Sequence, residues 1–456
     1  MIISLSGRKG SGKSTLANLL TNHGYKKVSF ADKLKELTAE LYGWELTSLY
    51  DATAKEEILP HPVQWDETKA QKLAKLINAT KPLNSQSREF KSRREALQFI
   101  GTEVLREYDS QFHVKELKKR IDPNENYVMD DCRFFNELAT LKSLNAHCVF
   151  VMRPYYFSYS NHISETELNR NHFDYVLIND RSESTLKKRF ARHLAALARS
   201  SVKNDELANR DVLRSLLENK TTTQIANQLG KSRDAVVWWA NGHLLPIKRN
   251  KYTHNRDAFS IPSKESAYWA GVLSSDGTIK KLLKYDYILE LTSTDESLVK
   301  GFSNFLQSNK PVYVKQPDKG RLQHAVSICC PYIIEDMKLW CIEPRKSKLN
   351  KIPDCIRDSE LIDYWVVGLI DGDGTICEQG TSFTISVLAS LQIVEYLKNH
   401  YAINGHIYPE KDIENLYSLK YHGKYAVEFY NRVYRGLGLK RKWDKTLPFI
   451  DKAWMH

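Results

Sequence analysis

Hydrophobic and polar positions alternate along this chain in three successive styles. In the first, Ile2-Ile3-Ser4-Leu5 is a short apolar run that stops at Gly7, and Leu16-Ala17-Asn18-Leu19-Leu20 resumes at helical spacing. A run closed by glycine predicts a strand entering a loop, and the later spacing predicts a helix. Tyr127-Val128-Met129 and Cys148-Val149-Phe150-Val151-Met152 are further strand-like runs, ending at Asp130-Asp131 and Arg153-Pro154. The second style begins near residue 181. Residues 181–200 have helical spacing, Ser200–Asp205 is a polar hinge, and Asp211–Leu217, Thr223–Leu229 and Arg233–Ala240 read as short helices. Gly230 interrupts them, Lys231-Ser232 can cap the last, and Pro246–Asp257 is a basic, polar linker.

The third style is a duplication. Tyr268–Leu273 and Tyr364–Ile370 are apolar helices that each end at Asp-Gly. Strand-like stretches follow the first at Tyr287–Thr292 and Val326–Ile328, and the second at Phe383–Val387 and Leu416–Tyr421. Helical spacing returns at Ser297–Leu306, Ile333–Cys341, Leu391–Tyr401 and Lys424–Leu437. Each copy therefore predicts αββαββα, with the second hairpins placed only loosely. Gly271-Val272-Leu273-Ser274-Ser275-Asp276-Gly277 returns as Gly368-Leu369-Ile370-Asp371-Gly372-Asp373-Gly374. A basic cluster follows each copy, and the spacings Asp276 to Lys346 and Asp373 to Lys442 differ by one residue. One fold unit has been duplicated, each copy giving a carboxylate and a lysine to a shared site.

Composition narrows the setting. At 456 residues two or three domains are expected, and 42% hydrophobic residues can bury real cores. No apolar run reaches the length of a membrane span, and the first residues lack the basic and apolar regions of a signal peptide. Seven scattered cysteines without a C-x-x-C pair read as reduced thiols of a cytosolic protein. The net charge of +12 points to a polyanionic partner, but residues 1–200 and the remainder each carry +6, so charge alone does not locate it.

Gly7-Arg-Lys-Gly10-Ser-Gly12-Lys13-Ser14-Thr15 lies between predicted strand and helix, the context a phosphate-binding loop needs. Its glycines let backbone N–H groups turn around phosphate oxygens, Lys13 reaches the β/γ-phosphates, and Ser14 ligates Mg²⁺. A carboxylate at the strand end, taken as Asp131, is placed to serve a metal-bound water, with Arg133 beside it. Arg153, at the next strand end, can clamp a phosphate.

Asp131-Cys-Arg-Phe-Phe-Asn-Glu137, Phe30-Ala-Asp-Lys-Leu-Lys35, Leu97-Gln-Phe-Ile-Gly-Thr-Glu103, His162-Ile-Ser-Glu165 and Phe173-Asp-Tyr-Val-Leu-Ile-Asn-Asp180 resemble the phage-type deoxynucleoside monophosphate kinases over about residues 1–195. The resemblance implies ATP as donor and a deoxynucleoside 5′-monophosphate as acceptor. It puts Arg88, Arg93 and Arg94 near the acceptor and a closing lid at 153–170. Thr221–Trp238 resembles a DNA-binding helix-turn-helix. There Ala226 would make the tight contact, with Gly230 in the turn, Ile225, Leu229 and Val236 in the core, and Ser232, Arg233 and Trp238–Asn241 toward the major groove.

The repeated motif resembles the LAGLIDADG homing endonucleases in their single-chain form, over roughly 264–450. The resemblance implies two helices packed side by side, with Asp276 and Asp373, flanked by Gly277 and Gly374, holding divalent metal. Lys346 and Lys442 would stabilise the phosphate under attack, and the two sheets would read base edges. The sixth motif position departs from symmetry, being Ser274 in one copy and Asp371 in the other, and Ser274 is expected to cap its helix.

The expected architecture is an α/β P-loop domain at 1–200, a helix-turn-helix and basic linker at 205–257, and a duplicated α+β endonuclease domain at 262–456, with repeats at 264–353 and 361–450. The expected function is a site-specific double-strand DNA endonuclease fused to an ATP-dependent kinase, with Mg²⁺ in both domains. Its partners would be double-stranded DNA, ATP and a deoxynucleoside monophosphate, with no membrane. The endonuclease would act as a monomer, in the cytoplasm of a phage-infected bacterial cell. The rival reading keeps the kinase active beside a nuclease domain that only binds DNA.

Overall fold

The computed structural model describes residues 1–157, 167–200, 205–247, 252–283, 286–316, 320–344, 351–410, 413 and 415–450. The chain forms two compact units, one of residues 1–152 and 162–246, the other of 153–161 and 247–456.

The first unit is built on a parallel sheet. Its strands are β1 (Ile2–Ser6), β2 (Lys26–Lys27), β5 (Tyr127–Met129), β6 (His147–Met152) and β7 (Tyr175–Ile178), in the order β2-β5-β1-β6-β7. Every described neighbour pair is parallel. The central strands are covered on both faces, which explains why they read as unbroken apolar runs. Ile3, Leu5, Val128, Val149 and Val151 are fully buried and pack with Leu16, Ala17 and Leu20 of the helix Lys13–Thr21. A separate antiparallel pair, β3 (Ile58–Trp65) with β4 (Arg88–Ser92), covers a second core around Trp65, Phe90 and Phe99. The helices Glu183–Ser200, Arg210–Asn219, Thr222–Leu229 and Arg233–Gly242 complete this unit. The stretch from 205 to 246, read from sequence as a segment of its own with the linker, thus belongs to the first compact unit.

The second unit repeats one plan twice. The helix Lys264–Ser275 leads into β8 (Gly277–Leu283), β9 (Asp286–Ser293), a helix at Glu296–Phe305, β10 (Tyr313–Lys315), β11 (Gln323–Ile328) and a helix at Pro331–Asp336. The helix Leu361–Gly372 leads into β12 (Thr375–Gln379), β13 (Ser382–Ala389), a helix at Leu391–Tyr401, β14 (His406–Pro409), β15 (Tyr417–His422) and a helix at Lys424–Val433. The sheet orders β10-β11-β9-β8 and β14-β15-β13-β12 are equivalent, and all pairings are antiparallel. The period-two alternation is that of sheets with one covered face. Leu289, Leu291, Val326, Ile385, Val387 and Leu419 point into the core, while Lys280, Glu290, Lys420 and His422 take alternate positions. The short edge strands β10 and β14 are the ones the sequence pattern located only loosely. Two helices stop earlier than their spacing predicts. The first ends at Asp336 and the chain reverses at Cys341 with φ of 56°; the second ends at Val433, ahead of the turn at Gly436 and Gly438.

Candidate active sites

In the first unit the loop from Gly7 to Gly12 joins β1 to the helix Lys13–Thr21. Gly7 has φ of 138°, and a Cβ on it would lie 2.3 Å from the carbonyl oxygen of Val151 on β6. Only glycine lets the loop pass that strand. Gly10 and Gly12 also have positive φ, and Gly12 opens the helix. The Asn179 side-chain amide donates to the Ser11 carbonyl at 2.9 Å, bracing the loop from the end of β7. The Lys13 ammonium lies back over the loop, donating to the carbonyls of Gly7 at 2.6 Å and Arg8 at 2.8 Å. Ser14 is exposed on the first helical turn with Thr15 beside it. Inward-turned N–H groups, a helix N-terminus and a lysine together form an anion cradle.

The carboxylate facing this cradle is Asp130. The Ser14 hydroxyl donates to it and Lys27 pairs with it at 2.9 Å. Burial would raise its carboxyl, but Lys27, Ser14 and Lys13 outweigh that and hold it below the usual range. Asp131, the residue chosen from sequence, turns away. It accepts from the Ser29 hydroxyl, from the Phe30 N–H at 3.2 Å and from the Ala31 N–H at 3.1 Å, so it shapes the loop after β2. Burial raises its carboxyl, with Lys35 opposing. Adjacent residues leaving a strand point to opposite sides, and only the pairing of β5 with β1 decides which of two aspartates meets the loop. A hydroxyl and a carboxylate side by side form a hard oxygen donor set suited to Mg²⁺.

The predicted arginines scatter. Arg133 stays at this end of β5, its N–H donating to Glu137 at 2.8 Å. Arg94 pairs with Glu56 at 2.5 Å, and the same carboxylate pairs with Lys9 of the glycine loop at 2.6 Å. Arg93 donates to the Ala54 carbonyl at 3.1 Å and lies over the Trp44 ring. Arg88 is exposed on β4 and pairs with Glu103 at 3.1 Å. Arg153 groups with the second compact unit, where its carbonyl accepts from Lys338 at 2.7 Å and its guanidinium lies over the Tyr156 ring. Of the lid expected at 153–170, residues 158–166 lie outside the described residues. Lys27, Lys55, Glu56 and Asp130 were not singled out from sequence; Asp130 alone carried a signal, as half of an Asp-Asp pair.

In the second unit the helices Lys264–Ser275 and Leu361–Gly372 cross at Gly271 and Gly368. A Cβ on Gly271 would lie 2.1 Å from the Trp365 carbonyl oxygen, and one on Gly368 would lie 2.1 Å from that of Tyr268. The backbones touch, as small-residue crossings allow. Towards their C-termini a Cβ on Gly372 would lie 1.7 Å from the Ser275 hydroxyl oxygen. Ser275 precedes Asp276 and Gly372 precedes Asp373, so the two aspartates leave the helices together, each as the C-terminal cap residue. Gly277 starts β8 directly after Asp276, and Gly374 stands just before β12, with no room for a Cβ against Ile370 and the Ser386 carbonyl. Two carboxylates at touching helix ends are a donor set for a hard divalent cation.

The lysines complete this site differently from expectation. Lys346 lies outside the described residues. The Lys442 ammonium donates to the carbonyls of Ile370 at 2.8 Å, Asp371 at 2.9 Å, Gly372 at 3.3 Å and Gly374 at 2.9 Å. It caps the second central helix, where a cation meets the negative end of the helix dipole. Burial lowers its amine; Asp371, Asp276 and Asp373 all favour its charge, so both motif aspartates lie within its field.

The sixth motif positions also differ. Asp371 accepts from the Tyr268 hydroxyl at 2.9 Å, the Leu439 N–H at 2.7 Å and the Trp443 indole N–H at 2.9 Å. In the other copy, the Ser274 hydroxyl and the indole N–H of Trp365, the counterpart of Tyr268, are buried and without hydrogen-bond partners. Ser274 therefore does not cap its helix. Ser275 does that work, donating to the Val272 carbonyl at 2.9 Å.

The three short helices of the first unit form a compact turn. Thr221 and Gln224 make a capping box, Gly230 ends the helix Thr222–Leu229 with φ of 60°, and Ser232 caps the helix Arg233–Gly242. Ile225, Ala226 and Val236 are buried and Leu229 is half-buried. Lys231, Ser232 and Arg233 are exposed, but Trp239 and Ala240 are buried, and Trp238 packs under Arg199. The part of 238–241 read from sequence as groove-facing is thus largely core. Gly242 fits directly against Ala196 of the helix Glu183–Ser200, and its carbonyl bonds His193 at 2.7 Å.

Comparisons with known proteins follow the same division. A family model for deoxynucleotide monophosphate kinase matches residues 46–190. The chain is 28% identical over 199 residues to a protein of Acanthamoeba polyphaga mimivirus named "Putative deoxynucleotide monophosphate kinase", covering 40% of this chain and 90% of that one. Among solved structures, the homing endonuclease I-WcaI bound to its DNA recognition sequence is similar at 15% identity, with 39% of this chain, 85% of that chain and a TM-score of 0.30. Mesophilic variants of I-DmoI are similar at 14% identity, with 44% and 100% coverage and a TM-score of 0.28. The N-terminal part thus resembles deoxynucleotide monophosphate kinases and the C-terminal part resembles LAGLIDADG homing endonucleases. At these TM-scores the second likeness carries no argument, and the site of the second unit stands on its own geometry. No helix of the described residues is long and apolar enough to cross a membrane.

Proposed function

We propose that the chain joins an ATP-dependent deoxynucleoside monophosphate kinase to a metal-dependent, site-specific DNA endonuclease. The observation that carries the nuclease reading is the emergence of Asp276 and Asp373 together from two helices in backbone contact. A bound Mg²⁺ would activate water and stabilise the departing 3′-oxygen of each strand. Asp276 and Asp373 would hold that metal, and the crossing at Gly271 and Gly368 keeps their spacing. Lys442 fixes the end of the second helix and so positions Asp373. The outward residues of the two sheets would meet the major groove, the first with Lys280, Glu290 and Lys315, the second with Lys420, His406 and His422. The endonuclease acts as a monomer, since one chain supplies both aspartates.

In the first unit, backbone N–H groups of Gly7–Ser14 would hold the phosphates of ATP, and Lys13 would swing from its carbonyls to the transferred phosphoryl. Ser14, supported by Asp130, would hold Mg²⁺. The exposed end of the helix Arg233–Gly242, with Lys231, Ser232 and Arg233, would contact DNA as the second helix of a helix-turn-helix. Incubation with Mg²⁺ and DNA carrying an uninterrupted copy of the chain's own kinase coding region and flanks tests the nuclease. Cuts at one position on both strands support homing; bound but intact DNA defeats it. Transfer of labelled γ-phosphate from ATP to each of the four deoxynucleoside monophosphates tests the kinase, and no transfer to any of them defeats that half.

One observation favours a second reading. The ammonium of Lys442 is engaged by four carbonyls and offers no donor to a phosphate without breaking them. A second unit that binds DNA without cutting it, beside a working kinase, would fit that engagement, and the cleavage assay separates the two.

A further inference from the structure

The two copies of the duplicated unit are stitched together from one side only. In the second copy, Leu439 leads into the short helix Lys440–Trp443, which carries the basic cluster. Leu439 and Trp443 both bond Asp371, whose third donor, the Tyr268 hydroxyl, comes from the first copy. Arg441 makes another tie between the copies. Its Nε donates to the carboxylate of Asp295, the N-cap residue of the helix Glu296–Phe305 in the first copy. That carboxylate is a fixed anchor. Only 8% of its side chain is exposed, and it accepts from the Ser297 N–H at 2.9 Å, the Leu298 N–H at 3.3 Å and the Ser297 hydroxyl at 2.6 Å. Burial would raise its carboxyl, but Ser297 and Arg441 outweigh that and keep it ionised.

These ties have no mirror image. Ser274 stands in the place of Asp371, Trp365 in that of Tyr268, and Ser390, the N-cap residue of the helix Leu391–Tyr401, in that of Asp295. The Ser274 hydroxyl, the Trp365 indole N–H and the Ser390 hydroxyl are all buried without hydrogen-bond partners. Each orphaned group is unfavourable, so the bonded arrangement is a device confined to one side. Arg441 is exposed over 58% of its side chain, and such an ion pair adds little stability. What it fixes is direction. The next residue, Lys442, donates to four carbonyls at the end of the helix Leu361–Gly372, from which Asp373 emerges. We propose that Arg441 is a positioning residue of the nuclease site: tied to Asp295, it holds Lys442, and through it Asp373, in register with the first copy for cutting one of the two DNA strands. The inference rests on the endonuclease reading given above. Without the tie, the bonds from Leu439, Lys442 and Trp443 all end on residues of the second copy. A displacement of about 1 Å at a reacting group can slow a reaction about a hundredfold, so a weak tie can still decide a rate.

The test uses the full chain, Mg²⁺ and supercoiled plasmid carrying the uninterrupted kinase coding region and its flanks. Cutting of each DNA strand is timed for wild type, Asp295→Asn, Arg441→Gln, Lys442→Gln and the combined Asp295→Asn and Arg441→Gln variant, with circular dichroism to confirm folding. Asparagine caps a helix as well as aspartate does, so Asp295→Asn removes the ion pair and leaves the helix start intact. It should slow one DNA strand about ten- to a hundredfold and the other less than about twofold, so that nicked circles accumulate. Its DNA binding by gel shift should stay within about twofold of wild type or tighten, since no cation is lost. Arg441→Gln and Lys442→Gln should slow the same DNA strand, and the combined variant should be no slower than Arg441→Gln alone. A folded Asp295→Asn protein that cuts both strands at wild-type rates overturns the proposal. So does an equal loss on both strands, the mark of a merely structural role, and so do additive losses in the combined variant. If wild type cuts neither strand, the endonuclease reading falls and takes the proposal with it. If wild type cuts and Asp295→Asn matches it, the reading stands and the proposal alone falls.

Discussion

The two central helices of the second unit carry the same motif, yet their sixth positions live in opposite circumstances. Asp371 satisfies a tyrosine hydroxyl, an indole and a backbone N–H, whereas Ser274 and Trp365 at the mirrored place leave two buried polar groups unpaired. The glycines at the crossing and the aspartates at the ends are matched in both copies. Duplication has kept its symmetry where backbones touch and chemistry is shared, and has lost it where a side chain only ties one helix to its surroundings. The second helix is thereby anchored to Leu439 and Trp443, and Lys442 from the same segment caps it.

The largest expected effect tests the matched part. Asp276→Asn and Asp373→Asn should each reduce plasmid cutting by at least about a hundredfold, comparable to removing one transition-state electrostatic group, while leaving gel-shift binding intact. An effect confined to one of them would mean that the active site follows the asymmetry of the sixth position. Next, Asp371→Ala should destabilise the second unit by about 3–5 kcal/mol in urea unfolding, because it strands three buried donors. A loss below about 1 kcal/mol would show that the anchor is dispensable. Gly368→Ala should cost about 1–3 kcal/mol by overpacking and should also slow cutting, since the helices must separate and carry the aspartates apart. Wild-type cutting in this variant would break the link between the crossing and the site. The smallest effect belongs to Ser274→Ala, which removes an unpaired hydroxyl and should be neutral or stabilising by up to about 1 kcal/mol. A clear loss of stability would reveal a partner for Ser274 and erase the contrast with Asp371.

The two regions were not equally legible. The αββαββα order and the repeated Asp-Gly helix ends follow from local pattern, because period-two strands and helix-ending turns are short-range features. The glycine loop was readable for the same reason. Asp130 was missed because choosing between adjacent aspartates needs the register of β5 on β1. Arg153 was assigned to a phosphate from its place after a strand, and the two compact units divide at that residue. Ser274 looked like a cap because serine often caps helices, yet it is the neighbouring Ser275 that bonds a last-turn carbonyl, that of Val272.

By itself the sequence determined the division into a phosphate-loop unit and a duplicated unit, the strand and helix order within the duplicated one, and the residues able to carry charge to a metal. These depend on covalent order and on periodicity over a few residues. Only the tertiary structure decided which of two neighbouring carboxylates faces the loop and that Lys442 serves a helix end. Each of those outcomes depends on groups tens of residues apart in sequence meeting within a few ångströms, where burial and pairing set what a charge can do.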